Sequence, residues 1–250
     1  PDIIFNALHG QYGEDGYIQS IIEGFKIPYT HSGVIPSAIA MDKDISKKIF
    51  SKNKIRTPKY FIYSFNLKKK DLITKINKKL KFPVVVKPLN EGSSVNVYIC
   101  NKNNIIRILN SISNYKKIMI EEFIGGREIQ VAIMGNKILG AIELKPKRKF
   151  YDYQAKYNRK AKTEHIIPVK IKRNKLNEVL QIAFKAHKII GCRGVTRSDF
   201  KFYNEKFYLL EINTQPGMTK LSLVPEIAAH KGISFIELIE WILIDASKKK

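Results

Sequence analysis

The residues best suited to hold a hard cation lie in two short runs, Thr196-Arg197-Ser198-Asp199-Phe200 and Leu210-Glu211-Ile212-Asn213. As the arms of a hairpin, each run places residues two apart on one face, so Arg197 goes with Asp199 and Glu211 with Asn213. A turn centred on Glu205 sets Asp199 opposite Glu211 and Arg197 opposite Asn213. Facing carboxylates alone destabilise a sheet. With an amide oxygen beside them, they become an oxygen set of the kind that binds Mg²⁺ together with phosphates. The plainer alternative has Asp199 and Glu211 facing solvent with Arg197 paired to one of them, and a one-residue slip in register would separate them. Thr214-Gln215-Pro216-Gly217-Met218-Thr219 follows directly. Its Pro-Gly step suits a backbone N–H offered to an oxyanion, and suits an ordinary turn equally well.

Lys87 ends the apolar run Pro83-Val84-Val85-Val86. A lysine there meets a phosphate if the strand is central, or solvent if it is an edge. The loop Asn90-Glu91-Gly92-Ser93-Ser94 offers N–H groups and hydroxyls to phosphate oxygens, but lacks the glycine-lysine spacing of a Walker A motif. A simple hairpin turn fits the same residues. Glu121-Glu122-Phe123-Ile124 joins two sheet-rich segments, where backbone groups suit a purine edge and Glu128 suits ribose hydroxyls. The alternative is a charged linker.

Positioning these groups takes strands and helices in alternation. The pattern predicts a strand over Ile3–Leu8 with a turn at His9-Gly10, then a helix over Glu14–Phe25 with acids at its start. A second helix is expected over Met41–Asn53, capped near Asp42. Strands follow at Tyr60–Tyr63, Pro83–Pro88, Val95–Cys100, Lys117–Glu122, Glu128–Met134 and Lys137–Leu144, the last two joined tightly by Gly135-Asn136. Helices are expected over Lys68–Leu80 and Asn103–Ser113. Residues 145–164 are polar and aromatic without period, and loops of that length usually carry function. A helix over Lys175–Ile190, strands over Val195–Phe202 and Phe207–Asn213, and helices over Ser222–His230 and Phe235–Ala246 complete the chain.

The chain's 250 residues can form one large domain or two modest ones with real cores. A formal charge of +23 suggests a nucleic-acid partner. The lysines are scattered among Ile and Asn, however, rather than clustered with aromatics on one element, which favours a solvated surface. No apolar run is long enough to span a membrane. Cys100 and Cys192 belong to no metal or disulfide pattern and suit a reducing cytoplasm. The start, Pro1-Asp2-Ile3, has neither Met nor a basic leader and reads as the middle of something longer.

His9-Gly10, Glu14-Asp15-Gly16, Met41-Asp42-Lys43, Val86-Lys87-Pro88, Glu91-Gly92-Ser93-Ser94, Phe150-Tyr151-Asp152-Tyr153, Ala155-Lys156-Tyr157, Arg197-Ser198-Asp199 and Glu211 to Thr219 occur in one order. In that order and spacing the chain resembles the D-alanine–D-alanine ligases, nearly end to end. The resemblance implies an ATP-grasp fold, α/β and α+β, preceded by a partial amino-terminal parallel α/β domain. Residues 1–31 would be that remnant, 32–125 the central subdomain, and 126–250 the carboxy-terminal subdomain with the metal and substrate site.

By the same resemblance, Lys43 and Lys87 contact ATP phosphates, Ser93 and Ser94 close over them, and Lys156 sits in a mobile lid. Glu121, Glu122, Phe123 and Ile124 read adenine, and Glu128 holds the ribose. Asp199, Glu211 and Asn213 bind two Mg²⁺ ions, for which Mn²⁺ substitutes. Arg197 and the Gly217 N–H serve the oxyanion, and Ser93 with Tyr157 links the lid to the substrate site. Ser222 and Leu223 contact the second D-alanine, and His9 lies near the first. The implied partners are D-alanine and ATP in a cytoplasmic homodimer, with neither nucleic acid nor membrane. A different carboxylate–amine ligase of this superfamily, or a D-alanine–D-lactate ligase, is the alternative; Tyr157 goes with an amine second substrate. Asn96 stands where a glycine is common, and Gln215 where serine is. About fifty residues found upstream in the family, including a glutamate for the first substrate's ammonium, are expected to be missing before Pro1.

Overall fold

The computed structural model describes residues 1–65, 67–92, 95–146, 163–219 and 222–248. Its helices are α1 (Tyr17–Gly24), α2 (Val34–Met41), α3 (Lys43–Lys52), α4 (Lys69–Lys79), α5 (Ile105–Ser111), α6 (Arg173–Ile190), α7 (Leu223–His230) and α8 (Phe235–Ser247). The strands are β1 (Tyr60–Tyr63), β2 (Val84–Pro88), β3 (Tyr98–Cys100), β4 (Ile118–Glu122), β5 (Arg127–Met134), β6 (Lys137–Lys145), β7 (Glu164–Ile166), β8 (Val195–Tyr203) and β9 (Lys206–Asn213). They form two antiparallel sheets, ordered β1-β4-β2-β3 and β7-β6-β5-β8-β9.

In the first sheet, Val84 and Val86 of β2 and Ile118 and Ile120 of β4 meet Leu72 and Ile76 of α4. The second sheet is covered on both faces. Ile129, Val131 and Ile133 of β5 point to α6, where Val179, Ala183 and Ala186 receive them, together with Ala40 of α2 and Phe50 of α3. Ala132 and Met134 point the other way, onto Val224 and Ile227 of α7 and Leu238 and Ile242 of α8. The strand alternation that sends Ile129 and Val131 to one face sends Glu128 and Gln130 to the opposite one. On β8 it likewise separates Phe200 and Phe202 from Arg197, Asp199 and Lys201. One face of this sheet is therefore core along its length, while the other is core beneath α7 and α8 and carries the polar groups beyond them.

Phe200 is fully buried, with its ring edge-on to Phe207 at 6.3 Å. Phe200→Ala should cost about 3–5 kcal/mol of stability in urea titration, as expected for truncating a buried aromatic. A loss below about 1 kcal/mol would contradict the packing assigned to this face.

Several sequence expectations are corrected. Ile3–Leu8 does not form a strand; it contributes a single parallel bridge, Ile4 to Tyr29. The first helix begins at Tyr17 rather than Glu14, because Gly16 sits before it in the left-handed region at φ 98°. The helix expected over Met41–Asn53 begins at Lys43. Asp42, in extended backbone, accepts bonds from the Asp44 and Ile45 N–H groups at 2.9 and 3.0 Å and starts a new helix there. α2 before it was not anticipated. The strand expected from Val95 is shorter, Tyr98–Cys100.

The β8–β9 turn is not centred on Glu205. It is a two-residue turn, Asn204-Glu205, with both residues at positive φ, 48° and 57°, as the tightest hairpins require. That shift would have put Asp199 out of line with Glu211. A bulge between Asp199 and Phe200 in the pairing restores the register, so Asp199 faces Glu211 and Arg197 faces Asn213.

Among the described residues, no helix is long and apolar enough to cross a membrane.

Candidate active site

A cleft opens between the two sheets, floored by Lys87 of β2, Glu121 of β4, Glu128 of β5 and Lys201 of β8. Glu122, Phe123 and Ile124, which lead from one sheet to the other, line its far wall. Gly126 makes this crossing possible: its φ is 80°, and a Cβ there would collide with the Phe202 carbonyl oxygen. Lys201 donates to Glu128 at 2.9 Å, a pair set by the register that places these residues opposite each other. Lys87 donates to Glu121 at 2.5 Å, both buried. Burial alone would raise the Glu121 carboxyl, but Lys47 and Lys87 outweigh it and hold the carboxyl below its ordinary value.

Lys43, Glu91 and Glu211 line this cleft and also a second, adjoining one. Lys43 is the first residue of α3, and its Nζ donates to the Glu91 carbonyl at 2.5 Å and lies 3.9 Å from Glu211. Burial lowers its proton affinity; Glu211 opposes that and Lys87 adds to it. A phosphate arriving here meets ammonium groups already stripped of water, where charge acts most strongly.

The second cleft is walled by Arg197, Asn213 and Gly217 at the sheet's end, by Ser222 and Leu223 at the start of α7, and by His9 and Glu14 from the amino-terminal segment. Arg197 bonds Asp199 through Nε and Nη2 at 2.7 and 3.0 Å. This fork fixes the guanidinium at the meeting point of the two clefts. The Asn213 Oδ1 accepts from the Gln215 N–H at 2.8 Å, which folds the chain into the Pro-Gly turn. A Cβ at Gly217 would stand 3.1 Å from the Ser222 Oγ, so glycine keeps this wall open. Ser222 precedes the first residue of α7, and its Oγ accepts from the Thr219 N–H at 3.0 Å rather than from the helix's own N–H groups. His9 holds its proton more tightly than usual because Glu14 bonds to its ring; Glu14 also accepts from the Gly10 N–H at 2.9 Å.

The sequence-derived candidates thus fall into one continuous pair of clefts: Lys43, Lys87, Glu121, Glu122, Phe123, Ile124, Glu128, Asp199 and Glu211 in the first, and His9, Arg197, Asn213, Gly217, Ser222 and Leu223 in the second. Ser93, Ser94, Lys156 and Tyr157 lie outside the described residues. Among the described residues, no cluster of three His, Cys, Asp or Glu side chains is placed to hold a metal ion. The oxygen set on offer is two carboxylates and an amide.

Sequence reasoning missed Lys201, Gln130 and Glu14 in these walls, and Lys47 behind them. Lys201 was within reach, since it continues the 197, 199, 201 alternation. Gln130 stands beside Asp199 in register and keeps a buried Oε1 with no hydrogen-bond partner among the described residues. Glu14 was assigned to a helix start three residues too early. The two departures also find physical roles. Asn96 occupies φ 53°, a region that asparagine tolerates better than most residues. Gln215, 2% exposed, accepts from the Asn6 amide at 2.8 Å and donates to the Leu8 carbonyl, tying the amino-terminal segment to the carboxylate hairpin.

With this geometry in place, comparison with known proteins is direct. Residues 50–244 match the family model described as "D-ala D-ala ligase C-terminus". A D-alanine–D-alanine ligase of Pelagibacter ubique (strain HTCC1062) is 72% identical over 247 residues, covering 99% of this chain and 81% of the relative. The crystal structure of the Bacillus anthracis ligase superposes with a TM-score of 0.86 at 35% identity, over 98% of this chain and 80% of that one. A structure of the same ligase complexed with ATP gives 0.83 at 31% identity, over 98% and 79%. The chain with its two sheets, paired clefts and carboxylate hairpin belongs to the D-alanine–D-alanine ligase family.

Proposed function

We propose that this chain joins two D-alanines into D-alanyl-D-alanine for peptidoglycan precursor synthesis, converting ATP to ADP and phosphate. The observation that carries the reading is that Lys43 and Glu211 line both clefts, so a nucleotide's phosphate end and an amino-acid cavity meet at one wall. Free carboxylates are poor acyl donors. Transfer of the γ-phosphoryl group to a carboxylate oxygen of the first D-alanine gives an acyl phosphate and ADP. The amine of the second then attacks the acyl carbon, and the tetrahedral adduct expels phosphate.

In this reading Glu122, Phe123 and Ile124 frame the adenine, Glu128 takes the ribose hydroxyls, and Lys43 and Lys87 draw the phosphates toward the wall shared by the clefts. Arg197 and the Gly217 N–H face the oxyanion that forms during attack. His9 borders the first substrate, while Ser222 and Leu223 border the second. Asp199, Glu211 and Asn213 fit a pair of Mg²⁺ ions: two carboxylates opposed in register with an amide oxygen beside them make a hard-oxygen set. Mg²⁺, or Mn²⁺ in its place, would there offset negative charge on the transferring phosphoryl group. The buried, unpaired Cys100 and half-buried Cys192 support a cytoplasmic setting. A homodimer is proposed from family likeness alone.

The test is phosphate release from Mg-ATP with and without D-alanine. Release that requires D-alanine is expected. Release equal in its absence would refute the reading, and D-lactate as second substrate separates the depsipeptide alternative.

A further inference from the structure

Lys47 is a buried cation that the reaction above leaves without a task. It stands one turn beyond Lys43 on α3, is fully buried, and lines neither cleft, so it cannot touch a nucleotide held there. Its Nζ lies 3.0 Å from one oxygen of Glu121, and Lys87 donates to the other oxygen at 2.5 Å. One carboxylate thus serves two ammonium groups, and only Lys87 faces the cleft. We propose that Lys47 is a positioning residue for ATP: by sharing Glu121, it keeps Lys87 from being fully neutralised and holds the Lys87 ammonium ready for phosphate.

The charge count makes the argument. Lys43, Lys47 and Lys87 face Glu121 and Glu211, which leaves one positive charge in excess beside a polyphosphate site. Without Lys47 the cluster is neutral, and Glu121 closes on Lys87 alone, since a buried carboxylate with one cation holds it strongly. The groups facing Lys47 are Glu121 from β4, Lys87 from β2, Glu211 from β9 and the Tyr60 ring of β1, 5.7 Å away. Burial pushes the Lys47 ammonium down to about 8; Glu121 opposes this and Lys87 reinforces it. The positive charge at Lys47 is present below that pH and lost above it, so its contribution to ATP affinity fades as pH climbs through 8. Lys43 is shifted in the same direction, so the comparison that isolates Lys47 is the parent against K47R, whose guanidinium stays charged.

The proposal rests on the nucleotide reading of the cleft. A parent protein that fails to bind Mg-ATP in calorimetry refutes that reading itself. If the parent binds, K47M should weaken ATP about tenfold, within the usual range of coupling between contacting charges, while the melting temperature stays close to the parent's. In an E121Q background the same K47M change should have almost no further effect, because the carboxylate through which Lys47 acts is gone. A lowered melting temperature with unchanged ATP affinity would make Lys47 merely structural and overturn the proposal. An equal loss in both backgrounds would overturn it too. Should K47M fail to fold, K47R decides: its ATP affinity should decline less than the parent's above pH 8, and an identical decline refutes the proposal.

Discussion

Glu211→Gln is expected to abolish dipeptide formation while leaving the fold intact. Glu211 stands opposite Asp199, lines both clefts, and lies 3.9 Å from the Lys43 ammonium. The amide keeps the shape and one acceptor oxygen but loses the charge that a hard cation needs. Charge stabilisation of this kind is worth several kcal/mol, so the turnover rate should fall on the order of a thousandfold. Stability should change little, because the relief of repulsion with Asp199 is offset by the loss of a partner for the buried Lys43 ammonium. Rate, Mg²⁺ titration and thermal melting together check this. An active variant with the parent's Mg²⁺ dependence would remove Glu211 from the metal set.

Arg197→Met should lower turnover about a hundred- to a thousandfold, the usual effect of removing one oxyanion donor. The KM for ATP should change little, since Arg197 lines the second cleft and not the first. The fork onto Asp199 makes the direction firmer: without it, Asp199 loses two charge-assisted bonds and repels Glu211 more strongly. Arg197→Lys keeps the charge but not the fork, and should recover only part of the rate. Steady-state kinetics with each substrate varied separates the cases. A change confined to the KM for ATP would put Arg197 on the nucleotide instead.

Much of this site was legible because strand alternation is rigid: Arg197 with Asp199, and Glu211 with Asn213, follow from a two-residue period. The pairing across the hairpin emerged correctly although the turn was misplaced. Asn204-Glu205 at positive φ moves the turn by half a step, and the bulge before Phe200 compensates. A bulge has no strong signature in a single sequence. α2 escaped because its run Val34–Met41 is apolar on nearly every side, begins after a glycine with no side-chain cap, and carries Pro36 in its first turn, where a missing N–H costs little. Ile3–Leu8 has the apolar run of a buried strand, but among the described residues only Ile4 joins a ladder, donating to the Pro28 carbonyl and accepting from the Thr30 N–H. Lys47 was hidden for a different reason. Four residues after Lys43 on a lysine-rich helix, it reads as another solvated cation, and only the fold brings Glu121 to it.

The central claim is that a D-alanine carboxylate is phosphorylated before the peptide bond forms. D-alanine labelled with ¹⁸O in its carboxylate, incubated with the enzyme and Mg-ATP, tests this directly. An acyl phosphate keeps one substrate oxygen as its bridge to phosphorus, and attack by the second amine expels that oxygen with the phosphate. Mass spectrometry should find one ¹⁸O in the phosphate released for each dipeptide formed. Dipeptide accompanied by phosphate free of ¹⁸O would contradict the account.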